Sequence, residues 1–213
     1  MPVTDARSAL LPPPAVRRLG TLAVGLVLFG FSLALMVRAD LGLSPWDVFH
    51  QGLARTLDQR LGSMVIATSL VVLLLWIPLR QRPGIGTIGN AVVVGLVLEA
   101  STAVLPQFDA LVGRVGLLAA GIGLNAVATG LYIGAGLGPG PRDGLMTGLA
   151  ARWWSIRSVR TAIEVTVLAS GWLLGGSVGV GTVLFAFSIG PLVQVALRFL
   201  TIDTPTTSTV ELS

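Results

Sequence analysis

The sequence has no cysteine, no lysine and a single histidine, His50. Without cysteine there are no disulfides, thiolate nucleophiles or thiolate metal centres. One histidine cannot build an imidazole metal site, so no metal is expected. Charge is scarce too. Fourteen arginines and 10 acidic residues leave 11% of the 213 positions charged, against 53% hydrophobic and a mean hydropathy of +0.85. A soluble domain carries about 25% charged residues, so the chain reads as a polytopic membrane protein in one domain. A sequence pI of about 11.2 could point to nucleic acid. However, the arginines are scattered among apolar runs and form no basic stripe, so the expected partner is the lipid bilayer and not nucleic acid. Nucleotide loops, nucleophile constellations and cofactor motifs are missing, and neither enzyme activity nor a cofactor is expected.

Long uncharged runs set the architecture. Leu19 to Val37 is the first, and 19 residues lie between Arg60 and Arg80. At 1.5 Å per residue, such a run covers roughly 28 Å, enough for the hydrocarbon core. A third run, between Arg82 and Asp109, is interrupted only by Glu99, and a fourth lies between Arg114 and Arg142. The 37 residues between Arg160 and Arg198 are too many for one helix. The Gly175-Gly176-Ser177-Val178-Gly179 stretch divides them into two. Six transmembrane helices are thus expected in an all-α membrane domain over residues 17–200, after a disordered arm at 1–16 and before a polar tail at 201–213. With the N-terminus inside, ten arginines fall on the cytoplasmic side, and only Arg38, Arg55, Arg60 and Arg114 fall outside. Both termini are therefore expected in the cytoplasm.

The chain also resembles itself. Shifted by 96, Gly42-Leu43-Ser44-Pro45-Trp46-Asp47 falls on Gly138-Pro139-Gly140-Pro141-Arg142-Asp143, and Gly52-Leu53-Ala54 falls on Gly148-Leu149-Ala150. Shifted by 95, Gly84-Ile85-Gly86-Thr87 falls on Gly179-Val180-Gly181-Thr182. Repeat one covers about 19–104 and repeat two about 114–199. Three crossings each is an odd number, so the second repeat is inverted, as in many transporter folds. Each repeat holds a short element, about 45–56 and 141–152, too short to span and therefore interfacial or re-entrant. Pro45 and Pro141 suit the first helical position. Ser44 and Asp47 form a capping-box pattern, with Gly140 and Asp143 in the equivalent places.

These two turns are the first candidate site. Ser44, Asp47, Gly140, Arg142 and Asp143 would bind a small polar or anionic solute between two positive helix ends, with Arg142 as a fixed cation. The competing reading is that the aspartates only cap their own helices. Glu99 and its repeat mate Gln194 are expected inside the bundle, as a relay or as a packing hydrogen bond. Arg160 and Glu164, four residues apart, can pair. With Arg157 they form a cytoplasmic gate or a neutralised anchor. Asn90, Asn125 and Thr129 read as helix–helix hydrogen bonds, His50 as an interfacial residue, and Trp46, Trp76, Trp153, Trp154 and Trp172 mostly as an interfacial belt.

With Gly42–Asp47, Gly86-Thr87 and Asn90, Gly138–Leu149, Arg160 with Glu164, and Gly179–Gly190 with Pro191, the chain resembles the YczE-like membrane proteins of the bacterial YczE/YyaS/YitT group over about residues 19–197. Where that family usually has Asp in the third crossing, this chain has Glu99. The resemblance implies a multi-pass protein of the bacterial inner membrane and brings no biochemical activity with it. Two functions stand open. One is a small transporter or transporter component. The other is a non-transporting scaffold or regulator of a partner membrane or biosynthetic system, and besides the bilayer the candidate protein partners are a second copy of the chain, as a homodimer, or another membrane protein.

Overall fold

The computed structural model describes residues 14–152 and 155–202. Most of the expected N-terminal arm, Trp153, Trp154 and the tail from 203 lie outside them. Eight helices and no strand are present among the described residues: α1 Pro14–Ala39, α2 Pro45–Thr56, α3 Leu61–Trp76, α4 Ile85–Val104, α5 Leu111–Gly134, α6 Pro141–Ala150, α7 Ile156–Leu173 and α8 Val180–Leu200. Pro14 opens α1, so residues 14–16 of the expected arm are helical. Pro45 and Pro141 open the two short helices, where a missing N–H leaves no bond unmade.

Four helices, α1, α4, α5 and α8, are long and apolar enough to cross a membrane. The number is five if α2 and α3, bent by 113° at their junction, count as one broken span. The expected second and fifth crossings are thus the weaker ones. Helix α3 has only 16 residues, and the 18 residues of α7 include Arg157, Arg160 and Glu164.

Neighbour relations give the directions of the helices. Gly25 lies against Tyr132, Ser32 against Asn125 and Met36 against Gly121, so α1 and α5 run antiparallel. Gly30 lies against Val94, and Arg38 donates to the Thr102 carbonyl, so α1 and α4 run parallel. The α5–α8 pair is parallel in the same way, through Gly130 on Ala196 and Gly134 on Leu200. Helices α3 and α4 run antiparallel, their backbones brought together at Gly62 and Gly95.

Contacts recur in pairs, one in each half of the chain. Gly86 N donates to Leu137 O at 2.8 Å, and Gly181 N donates to Leu41 O at 2.7 Å. Thr87 Oγ1 accepts from Gly84 N at 3.1 Å, and Thr182 Oγ1 accepts from Gly179 N at 3.2 Å, which starts α4 and α8 alike. Past the end of α6, Arg152 donates to Leu79 O at 2.8 Å; at the end of α2, Arg55 donates to Gly175 O. The match is incomplete. Helix α3 packs along α4, whereas α7 and α8 make no comparable contact. Gly190, the mate of Gly95, faces open space.

The apolar core centres on α1, with Leu26, Phe29, Leu33 and Met36 against Leu98, Ile122 and Tyr132. A second cluster joins both short helices to α3 and α7 through Trp46, Trp76, Leu145, Met146 and Val159.

Candidate functional site

Both short helices begin inside the bundle. Trp46, Asp47 and His50 of α2 and Gly140, Pro141 and Arg142 at the start of α6 line one cavity of about 50 Å³. Phe29 and Leu33 of α1, Thr68 and Ser69 of α3, Asn90 of α4 and Tyr132 of α5 also line it, and valines of α3 and α4 make the wall more apolar than polar. The C-terminal parts of the short helices point away from it. Gly52 of α2 lies against Gly171 near the end of α7, and Gly148 of α6 lies against Leu79 and Gln81 beyond the end of α3. The chain thus turns twice at the cavity, each time at a glycine-rich Pro-x-Asp corner.

The two aspartates have different partners. Ser44 Oγ accepts from Asp47 N at 3.3 Å, as a capping box requires, and also donates to the Asp47 carboxylate. His50 Nδ1 lies 3.4 Å from the other Asp47 oxygen. Asp143 is held from outside its own helix: Tyr132 Oη donates to it at 2.7 Å from α5. Capping alone therefore describes Asp47 better than Asp143. Arg142 stacks over the Phe29 ring, 5.6 Å from its centroid. Among the described residues its guanidinium has no hydrogen bond and no ion pair. Asp47 lines the same cavity, and Asp143 is the next residue in the chain. Trp76, buried on α3, donates from Nε1 to Pro141 O at 3.0 Å and fixes the α6 corner. The Trp46 Nε1 is buried without a partner.

The remaining expectations divide. Glu99 does not lie free in the bundle. It accepts from Gly62 N at 3.1 Å, capping α3 from α4, and stands 3.8 Å from Arg60. Gln194 is exposed on α8 and does not meet Glu99, which corrects the expectation that both face inward. Arg160 and Glu164 pair at 3.1 Å, but Arg157 is exposed and joins no ion pair among the described residues. Asn125 makes the expected interhelical bond, its Nδ2 donating to Ser32 Oγ at 2.9 Å. His50, Trp46 and Trp76 are buried within the protein, while Trp172 is exposed. Tyr132 carries no motif or spacing that marks it for the site; its one distinction in the sequence is that it is the only tyrosine. The Glu99→Gln protein is expected to keep its amide-capped α3 and lose less than about 1 kcal/mol, because the Arg60 side chain is 79% exposed and its pair is weak. Thermal unfolding in detergent measures this.

Apolar helices of spanning length define a multi-pass membrane protein. The family follows from comparison. Residues 16–198 match the model of a family of unknown function, DUF6198, and the chain belongs to that family. It is 39% identical over 201 residues to an uncharacterized protein of Haemophilus influenzae, covering 94% of this chain and 92% of that one. To the uncharacterized membrane protein YczE of Bacillus subtilis it is 32% identical over 176 residues, covering 81% of this chain and 82% of YczE. The uncharacterized protein YyaS of the same organism is 24% identical over 179 residues, covering 81% of this chain and 88% of YyaS. No solved structure matches the chain.

Proposed function

We propose that this protein is a small inner-membrane transporter, or transporter component, that moves a small polar or anionic solute through the cavity between the α2 and α6 N-termini. One observation carries the reading: both Pro-x-Asp corners line one partly open cavity, whose wall holds an arginine with no ion pair among the described residues. In this reading all six of α1, α3, α4, α5, α7 and α8 cross. Helix α3 covers about 24 Å, and its flanking turn residues supply the rest of the span. The two three-crossing repeats are inverted, and both termini lie in the cytoplasm. The antiparallel α1–α5 pair and the paired loop contacts support inversion; the arginine distribution supports the orientation.

The test is uptake by proteoliposomes loaded and challenged with small organic acids and inorganic anions. Saturable flux is expected from the native protein. The combined Asp47→Asn, Arg142→Ala, Asp143→Asn protein should fall to the protein-free baseline while remaining monodisperse. Undiminished flux in that variant defeats the proposal. The exposed apolar hollow of Val165, Leu168, Ala169, Trp172 and Val178 favours the second reading, a scaffold for another membrane protein. A stoichiometric partner surviving gentle detergent extraction, together with no flux, would favour that reading.

A further inference from the structure

Helix α8 is the least covered of the four long apolar helices: 22% of its membrane-length window is buried, against 56% for α1 and 33% for α4 and α5. Thr182, Phe185 and Ala196 mark its inward face, where Gly130 of α5 packs on Ala196. The opposite face carries Val183, Phe187, Gly190, Gln194 and Leu197, spaced 4-3-4-3. That is the spacing of a coiled-coil seam. Val183 and Phe187 are exposed, and nothing lies within 4 Å of where a Gly190 side chain would begin. Gln194 is exposed and makes no hydrogen bond among the described residues. Gly190 is the middle residue of α8, and Gln194 lies about 6 Å beyond it. A bilayer has no water at that depth, so an unpaired amide there is costly. In spanning helices such side chains bond across to another helix.

Repeat one shows what such a face receives. Shifted by 95, Gly190 and Gln194 fall on Gly95 and Glu99 of α4. There α3 lies backbone to backbone at Gly62 on Gly95, and Glu99 accepts from Gly62 N at 3.1 Å. In repeat two α7 makes no comparable contact with α8, and the same two positions stay bare. A small residue with a polar one a turn further on is thus a helix-docking pair, filled on α4 and open on α8. We infer that α8 of a second copy of this chain covers the stripe, in a two-fold homodimer that crosses at Gly190 and is joined by Gln194.

The stripe complements itself. An amide both donates and accepts, so two copies of Gln194 can pair with each other. Copies share one orientation in the membrane, so their α8 helices run parallel. A two-fold axis along the membrane normal then brings each stripe residue onto its equivalent, and such dimers are the commonest closed assembly. Small residues at the crossing let the two backbones approach. The stripe holds no charge that would call for an opposite charge on a foreign helix; the nearest, Arg198, lies in the last turn. The dimer does not depend on transport.

The chain contains no cysteine, so a single cysteine placed on α8 reports its neighbour without background. In isolated membranes under mild oxidation, the Val183→Cys, Phe187→Cys and Leu197→Cys proteins should each form a disulfide-linked species of twice the 22.0 kDa chain mass. Leu184→Cys and Val195→Cys, exposed to a similar degree as Val183 but off the stripe, should stay single. Light scattering of the purified protein in mild detergent should give a dimer. Gln194→Leu should weaken it about tenfold, and Gly190→Leu should leave monomers. Because Gly190 has open space around it in the protomer, leucine there acts on the interface and not on the fold. Gly190→Ala keeps a small residue and should remain dimeric. A monomeric native protein without cross-links, a dimer unchanged by Gly190→Leu, off-stripe cysteines that link as well as stripe ones, or links only to a protein of different mass overturns the inference.

Discussion

Gly171→Ala is expected to lower the thermal midpoint of the detergent-solubilised protein by several degrees. A methyl there would lie 2.4 Å from Phe49 N, 2.5 Å from Phe49 Cα and 2.6 Å from Val48 C. These are backbone atoms of α2, which cannot swing aside as the end of a side chain can. Helix α7 must therefore back away from α2. Gly52 is pressed just as closely on Gly171 O, so its contact is lost at the same time. Overpacking of this kind costs about 1–3 kcal/mol, and backbone clashes belong at the upper end. Gly190→Ala is the matched control. It sits inside α8 with open space around it, and the gain in helix propensity should leave stability equal or up to about 1 kcal/mol higher. If the two variants unfold at the same temperature, the α2–α7 contact is not as close as described.

The second large effect is expected at Trp76. Its ring lies directly against the α6 backbone, so close that a methyl at Gly144 would fall on it. The residue is 2% exposed, and its Nε1 bonds to the carbonyl of Pro141, a residue of the cavity wall. Trp76→Ala should cost about 3–5 kcal/mol, the range for emptying a large aromatic site, and should release the α6 corner that carries Arg142. Trp76→Phe keeps most of the packing and loses the hydrogen bond, so about 1 kcal/mol is expected. Thermal unfolding separates the two variants. Any solute binding should follow the same order, native, then Phe, then Ala. A phenylalanine variant as unstable as the alanine one would assign the main role to the hydrogen bond.

What the sequence discloses here depends on which property of a residue matters. Pro45, Pro141 and the glycines around them are read directly, because their backbone preferences act locally. The short helices begin where those residues say, and Ser44 caps α2 as its spacing implies. The repeat offsets pair Asp47 with Asp143 and Trp46 with Arg142, and these corners do meet at one cavity. Rotation about a helix axis is harder to read. Helices α4 and α8 are apolar nearly all round, so no stripe marks the inward face. Their shared polarity alone points Glu99 and Gln194 inward. The packing instead puts Glu99 at the start of α3 and leaves Gln194 on the outside. Residue type suggests the interface for His50 and Trp46, because it cannot register that α2 starts against the cavity. Tyr132 reaches Asp143 only because α5 and α6 fold back on each other, a relation that exists in space and not along the chain.

The reciprocal arginine clasps, Arg55 onto the Gly175 carbonyl and Arg152 onto the Leu79 carbonyl, bear on how such a chain could have arisen. Each short helix is held by the half it does not belong to. In the inverted-repeat reading proposed above, a chain of half this length would satisfy its own clasp only by meeting a sister molecule inserted upside down. Fusion of two such sisters would place both orientations in one polypeptide, and each half would then be free to specialise, one keeping an indole at the shared chamber and the other a guanidinium.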